Sequence, residues 1–152
     1  IADVLGNGSS APFHQHLVKD TQVAADVFAF TWGLHDHGLL TVGGIVADGV
    51  TPERFLQELD HVVYQTHELP ETELMRALNK IEAQEVFGKS RLIDRAMGLG
   101  IYGGLGKPEL VNTLIDEYRK VDLAAFREAV GNYLRPTNSS TLLYLSENQP
   151  VS

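Results

Sequence analysis

A predicted β-hairpin between Val23 and Ala47 constrains this chain more than any other stretch of the sequence. Residues 23–32 are rich in β-branched and aromatic side chains and contain neither glycine nor proline, and residues 39–47 are also rich in β-branched side chains. Residues 33–38 supply the glycines and the aspartate that favour a turn between two strands. Because an isolated hairpin is marginally stable in water, the remainder of the chain must cover it.

Alternation along each strand predicts two faces for this hairpin. In the first strand, aromatic residues oppose smaller ones: Phe28, Phe30 and Trp32 against Val23, Ala25, Val27 and Ala29. In the second strand, the two sets are Leu40, Val42 and Val46 against Leu39, Thr41 and Ile45. Since both faces are apolar, we expect both to be covered.

Helical periodicity dominates the sequence outside the hairpin. Before it, we predict helices over residues 1–5 and 10–19. After it, helices are predicted to begin near residues that suit N-caps or first turns: Thr51, Glu71, Ser90, Pro108 and Asp122. A third strand is predicted over residues 141–145. These elements predict an α+β fold, in which helices are layered on one face of an antiparallel sheet.

Composition favours a single domain and excludes several classes of function. A length of 152 residues suits one domain. The net charge of −8 argues against a broad surface for nucleic acid or anionic lipid, and it weakly favours basic peptides as partners. No apolar run approaches the roughly 20 residues that span a bilayer. The chain begins with Ile1 in what resembles the end of a helix, so we interpret it as part of a longer polypeptide.

The glycine-rich stretch matches a nucleotide-binding motif in letters only. Gly98, Gly100 and Gly103 satisfy G-x-G-x-x-G, and Asp122 lies near the spacing expected of a ribose-binding acid. That motif requires a preceding strand, whereas residues 91–97 have helical spacing. We therefore interpret the glycines as a flexible connection between helices.

No catalytic or metal-binding residue is assigned from the sequence, and its substrate-binding residues are unknown. The chain has six histidines, namely His14, His16, His35, His37, His61 and His67. His35 and His37 could converge at the hairpin tip, but without cysteine a closed zinc site would need four histidine or carboxylate ligands. No H-x-x-E-H or G-x-S-x-G motif occurs, and Ser9 and Ser10 are interpreted as helix caps.

Four motifs follow one another along the chain: residues 4–10 with Leu17 (like L-G-x-G-x-S-S…L), residues 36–39 (a turn and strand), residues 71–80 (like E-L-x-x-A-K) and residues 121–138 (like V-T…Y-L-x-P-x-N). In this order they resemble the pitrilysin/insulinase family of zinc peptidases, which includes the mitochondrial processing peptidases. Together they cover nearly the whole chain, which is similar to the second, C-terminal, non-catalytic domain of one half of such a peptidase.

The resemblance implies what this domain does and does not carry. In the family, zinc is held in the first domain by an H-x-x-E-H helix and a distant glutamate, and two halves close around a peptide. We therefore expect no cofactor in this segment and zinc in another domain of the parent protein. The expected partners are that catalytic domain, a second half (fused or separate) and the peptide substrate. The resemblance also implies that the domain is truncated, with its opening strands upstream of Ile1, which would expose a sheet edge that allows self-association.

One departure from the family pattern bears on function. Domains that grip substrate from the non-catalytic half carry an arginine and a tyrosine in the segment that aligns with residues 17–27, where this chain has Val18 and Ala25. The leading hypothesis is a non-catalytic domain of a zinc metalloendopeptidase that forms part of the chamber wall and the inter-domain interface. The alternatives are an inactive structural or assembly subunit and a freestanding peptide-binding module.

Overall fold

The computed structural model describes residues 1–33, 37–88 and 90–145, and it has the predicted α+β architecture. The elements in chain order are α1 (Ala2–Gly6), a π-helix (His14–Asp20), β1 (Ala24–Gly33), β2 (Gly38–Val46), α2 (Pro52–Gln65), α3 (Glu71–Gly88), α4 (Leu92–Gly104), α5 (Leu110–Arg119) and α6 (Leu123–Tyr133). Short 3₁₀ turns follow α2 at Thr66–Glu68 and α6 at Pro136–Asn138. None of the helices described combines the length and the apolarity needed to cross a bilayer.

The two strands form the predicted antiparallel hairpin. Trp32 pairs with Leu39, and Ala29 pairs with Val42. The observed strand ends lie within one residue of the predicted ones, because β-branched and aromatic residues fill the strands and glycines flank the turn. Part of the predicted turn falls on residues 34–36, which lie outside the described ranges.

A β-bulge at Ala25 changes the predicted set of residues on the less bulky face of β1. Ala24 pairs with Val46 and Asp26 pairs with Ile45, so Ala25 is an additional residue without a partner of its own. Ala24 is therefore buried and Ala25 is exposed. The prediction that Ala25 shares a face with Val27 is wrong, because the bulge interrupts strict alternation.

The inner face of the hairpin packs against α1, the π-helix and α2. This larger core contains Leu5, Phe13, Leu17, Val23, Ala24, Val27, Phe55, Leu59, Val62 and Val63. The end of α1 approaches β1 so closely that a Cβ on Gly6 would lie 2.6 Å from the Ala29 Cβ. The helices thus cover one face of the sheet, as predicted.

A second core lies among the later helices. It contains Val4, Leu74, Ala77, Phe126 and Val130, and Ile1 and Leu134 contact both cores. Helices α3 and α6 therefore pack on one another, and α1 contacts both α3 and β1.

Two of the four predicted side-chain caps, at Thr51 and Asp122, are confirmed. The π-helix has no side-chain cap hydrogen bond, so the predicted cap at Ser9 or Ser10 is wrong. The Thr51 hydroxyl accepts a hydrogen bond from the Arg54 N–H, and an Asp122 carboxylate oxygen accepts one from the Ala125 N–H at 2.8 Å. The cap at Ser90 is wrong, because its hydroxyl instead donates to the Phe87 carbonyl at 2.6 Å and closes the end of α3. A serine can satisfy a carbonyl behind it as readily as an N–H ahead of it.

Two other sequence predictions fail. The glycines from Gly98 to Gly103 lie inside α4 instead of forming a flexible connection, and the helix ends before Gly106, which has a φ of +71°. Residues 141–145 form no strand: Leu142 is 90% exposed and Tyr144 is 97% exposed. A strand needs a hydrogen-bonded neighbour, and in the described residues this segment has none.

Candidate functional site

The outer face of the hairpin is an exposed ladder of aromatic side chains. The ring centroids of Phe28 and Phe30 are 5.8 Å apart, and those of Phe30 and Trp32 are 5.7 Å apart in an edge-to-face arrangement. The exposed fractions of these side chains are 42%, 39% and 60%, respectively. The prediction that both faces of the hairpin are covered is therefore wrong for this face in the described structure.

Residues of β2 extend this apolar surface. Cross-strand partners lie on the same face, so Leu39 stands beside Trp32 and Ile45 stands beside Asp26. Phe28 lies over Gly43, where an added Cβ would be 3.0 Å from the Phe28 Cζ. We call the set Phe28, Phe30, Trp32, Leu39 and Ile45 the aromatic face. Apolar patches of this kind mark interaction sites in soluble domains.

The hairpin also offers unpaired backbone groups. In the described residues the sheet contains β1 and β2 alone, so one side of each strand carries N–H and C=O groups that pair with no other strand. An extended peptide can add to such an edge through main-chain hydrogen bonds. The aromatic face and the two free edges are adjacent, and together they suit an extended apolar chain better than a compact ligand.

A polar cluster on the opposite side of the sheet joins the π-helix to α2. His16 Nε2 lies 2.7 Å from Glu58 Oε2, and the Arg54 guanidinium lies 2.7 Å from Glu58 Oε1. The His61 ring stacks at 5.3 Å from the His16 ring. Sequence analysis missed this cluster because His16 and Glu58 are 42 residues apart, although the i, i+4 spacing of Arg54 and Glu58 is visible in the sequence.

The charge state of Glu58 links this cluster to stability. The hydrogen bond from His16 is the main cause that lowers the pKa of the Glu58 carboxyl below 4.5, and the Arg54 charge adds to it. A lowered folded-state pKa stabilises the fold above the ordinary pKa, and this contribution is lost as pH falls through the folded value. The cluster therefore stabilises the packing of the π-helix against α2.

Replacing Glu58 with glutamine should lower the free energy of unfolding by about 0.5–1 kcal/mol near pH 7, the range of a partly exposed ion pair. The difference between the two proteins should shrink as pH falls below 4.5. Urea denaturation at pH 7 and at pH 3.5–4 measures both effects. The exposed Glu128→Gln variant of α6 is the control. A Glu58→Gln penalty that stays constant over this range would contradict the assignment.

The remaining histidines do not assemble a metal site in the described residues. His67 Nδ1 bonds to the Tyr64 carbonyl at 2.7 Å, and His14 Nδ1 is buried without a hydrogen-bond partner there. His37 is exposed, and His35 lies outside the described ranges, so convergence of these two rings is not described. No group of three or more potential metal ligands occurs across residues 1–33, 37–88 and 90–145.

Two of the motifs that carry the resemblance contact each other. Lys80 of α3 donates to the Asn7 carbonyl at 2.6 Å, and an Arg76 guanidinium N–H reaches the Ser10 carbonyl at 3.5 Å. The Gln15 amide donates to the Ser9 carbonyl at 2.7 Å. Helix α3 therefore anchors the loop that follows α1, which gives the glycines and serines of this loop a structural role.

The two residues that depart from the family pattern lie at the sheet and beside the core. Val18 is half-buried in the π-helix and packs against the larger core. Ala25 is exposed at the bulge. Both side chains are hydrocarbon, so neither one can donate a hydrogen bond to a peptide backbone.

Comparison with known proteins finds matches among solved structures. No protein-family profile matches the sequence, and no curated protein matches it. A solved structure described as the inactive peptidase domain of a proposed zinc protease from Bordetella parapertussis superposes with a TM-score of 0.86 and 24% identity, covering 99% of this chain and 82% of that one. A proposed zinc protease from Bordetella pertussis Tohama I gives a TM-score of 0.78 and 24% identity, covering 90% of this chain and 76% of that one.

A third solved structure is much longer than this chain. A protease from Helicobacter pylori superposes with a TM-score of 0.80 and 16% identity over 90% of this chain, but the match covers 33% of that protein. The fold is therefore that of domains found in zinc-protease-like proteins. At these identities the likeness establishes the fold, and activity has to be argued from this chain's own surfaces.

Proposed function

We propose that this chain is a non-catalytic domain of a zinc-dependent metalloendopeptidase, and that its hairpin forms part of the wall around the peptide. The observation that carries the proposal is the superposition of 99% of the chain on a domain described as an inactive peptidase domain. The four sequence motifs that resemble the pitrilysin/insulinase family support the same function. The catalytic zinc would reside in another domain of the parent protein, where it activates the attacking water.

The aromatic face supplies the contact surface that such a wall requires. Aromatic side chains give a large contact area at low cost in conformational entropy, and they accept apolar side chains without selecting one sequence. The free strand edges add backbone hydrogen bonds that are equally independent of sequence. A surface with both properties suits an enclosure that holds different unfolded peptides.

The single tryptophan of the chain makes this proposal directly testable, because Trp32 lies in the aromatic face. Titration with a tryptophan-free unfolded peptide rich in leucine and lysine should shift the fluorescence of Trp32 to shorter wavelength, because bound peptide excludes water from the indole ring. Phe30→Ala should weaken this binding by roughly three- to tenfold, which corresponds to loss of one aromatic contact. The matched control is Phe87→Ala on α3, which removes an aromatic ring that is 75% exposed and lies outside the aromatic face.

Two results would contradict the proposal. An unchanged Trp32 spectrum at saturating peptide would show that the aromatic face does not contact peptide. Peptide cleavage by the 152-residue chain itself, abolished by a chelator, would show that the chain is catalytic. Zinc analysis of the same preparation should find substoichiometric metal.

A structural or assembly subunit of a peptidase complex is the second candidate. The observation that favours it is the pair Val18 and Ala25, since neither side chain can grip a peptide backbone. This candidate predicts that the parent protein lacks an H-x-x-E-H helix as well as the arginine and tyrosine. Sequencing of the parent reading frame over about one or two domain lengths upstream of Ile1 distinguishes the two candidates.

A further inference from the structure

Helix α4 is oriented with its apolar side away from the body of the protein. Three of its residues are half-buried, namely Asp94, Gly98 and Tyr102, and their i, i+4, i+8 spacing places them on one side of the helix. That side faces α5, where a Cβ on Gly98 would lie 3.8 Å from the Val111 Cγ2. All other residues of α4 are exposed.

The exposed side of α4 is a continuous apolar surface. Its large side chains are 54–80% exposed: Leu92, Ile93, Met97, Leu99 and Ile101. Between them lie Ala96, Gly100 and Gly104 at intervals of four residues, so another helix could approach the backbone of α4 closely. A helix that directs its apolar side outward lacks the burial that normally stabilises an amphipathic helix.

The charges around this surface are opposite in sign to those of the whole protein. Residues 91–107 contain three cations and one carboxylate, whereas the chain has a net charge of −8. Arg91 and Arg95 lie at the start of α4, and Lys107 follows its end. A partner for α4 should therefore combine apolar contact area with negative charge.

A groove of this character exists on the same protein, between α3, α5 and the start of α6. It has a volume of about 340 Å³ and an apolar floor that includes Leu74, Leu78 and Ile115. Its rim has three carboxylates, from Glu71, Glu82 and Asp122, and one cation, Arg119, which pairs with Glu82. Glu71 and Asp122 therefore give the rim a net negative charge.

We propose that two copies of this chain associate by docking α4 of each copy into the acidic groove of the other. Helix α5 packs beside α4 at Val111 and lines the groove at Ile115, so α4 and the groove flank one helix. With a two-fold axis beside α5, the contact between α4 and the groove occurs twice in the dimer, which doubles the buried area relative to a single contact. This interface differs from pairing at a sheet edge, and it does not rest on the proposed function.

Sedimentation velocity and light scattering of the 152-residue chain test the proposal from about 1 to about 300 µM, which covers weak and moderate dissociation constants. We expect a concentration-dependent dimer. Met97→Glu places a carboxylate against the acidic groove and should weaken the dimer by at least about tenfold. Leu39→Glu is the matched control, because Leu39 is 63% exposed on the aromatic face and Met97 is 58% exposed on α4.

A charge exchange then identifies the groove as the second surface. Arg95→Glu and Glu71→Lys should each raise the dissociation constant of the dimer by roughly three- to tenfold. The double variant should recover at least about half of the lost free energy of dimerisation. Three results would overturn the proposal. The chain could stay monomeric over the whole concentration range, Leu39→Glu could weaken the dimer as much as Met97→Glu does, or the double variant could fail to recover dimer affinity. Melting temperatures of all variants confirm that each one is folded.

Discussion

Replacing Phe13 with alanine is expected to lower the free energy of unfolding by about 4 kcal/mol, within the range of large-to-small substitutions at fully buried aromatic positions. The Phe13 side chain has no exposed surface and lies in the larger core beside Leu5 and Leu17. Its removal leaves a cavity between α1, the π-helix and the hairpin, and close-packed neighbours refill such a space only in part.

The midpoint of urea denaturation measures this loss, provided that the slope of the transition is unchanged. Phe87→Ala is the matched control, because that ring is 75% exposed and its loss should change stability by no more than about 0.5 kcal/mol. A Phe13→Ala protein that loses under about 1 kcal/mol would mean that this core is not packed as described.

The second large effect is expected at Gly6, where alanine should destabilise the protein by about 3 kcal/mol, the upper end of the usual range for overpacking. The new methyl group would lie 2.6 Å from both the Cβ and the backbone nitrogen of Ala29. A flexible side chain could move away from such a contact, but a strand backbone cannot move without disturbing its pairing with β2. The end of α1 would therefore have to separate from β1.

The same substitution at Gly131 is expected to have the opposite effect on stability. Gly131 lies inside α6, and an added Cβ there would meet no atom within 4 Å among the described residues. Alanine should therefore stabilise the protein by about 0.5–1 kcal/mol through its higher helix propensity. Thermal melts of the two variants should shift in opposite directions, and equal shifts would contradict the close approach of Gly6.

The elements that the sequence predicted correctly are those that local chemistry determines. Thr51 and Asp122 cap helices because each hydroxyl or carboxylate needs only an N–H three residues further on. The hairpin was predictable because both strands and the turn are adjacent in the chain. The same reasoning sorted the aromatic residues onto one face, since alternation requires no knowledge of distant residues.

The failures concern features that depend on distant residues. The bulge at Ala25 follows from the pairing register, which one strand cannot specify alone. The predicted strand at 141–145 lacked a neighbour among the described residues, and strand propensity cannot supply one. The bond between His16 and Glu58 joins positions 42 residues apart. Composition also gave no reason to expect that the glycines of α4 would remain helical.

In the candidate site, too, local features were predictable and features that depend on distant residues were not. The members of the aromatic face on β1 could be named from the sequence, but whether other residues cover that face is a tertiary property. The groove between α3, α5 and α6 could not be predicted, because helical periodicity places Leu74 and Leu78 on one side of α3 but cannot show how completely other helices cover them.

The separation of the two cores bears on the order in which the polypeptide acquires structure. The larger core draws all its buried members from residues 5–63, whereas the smaller one combines Val4 with residues 74–130. Contacts close in sequence cost less loop-closure entropy and form sooner. During synthesis, the hairpin and its covering helices can therefore become compact while the later helices are still inside the ribosome. The later helices then add to a surface that already exists, so a defect among them should leave the earlier half able to fold.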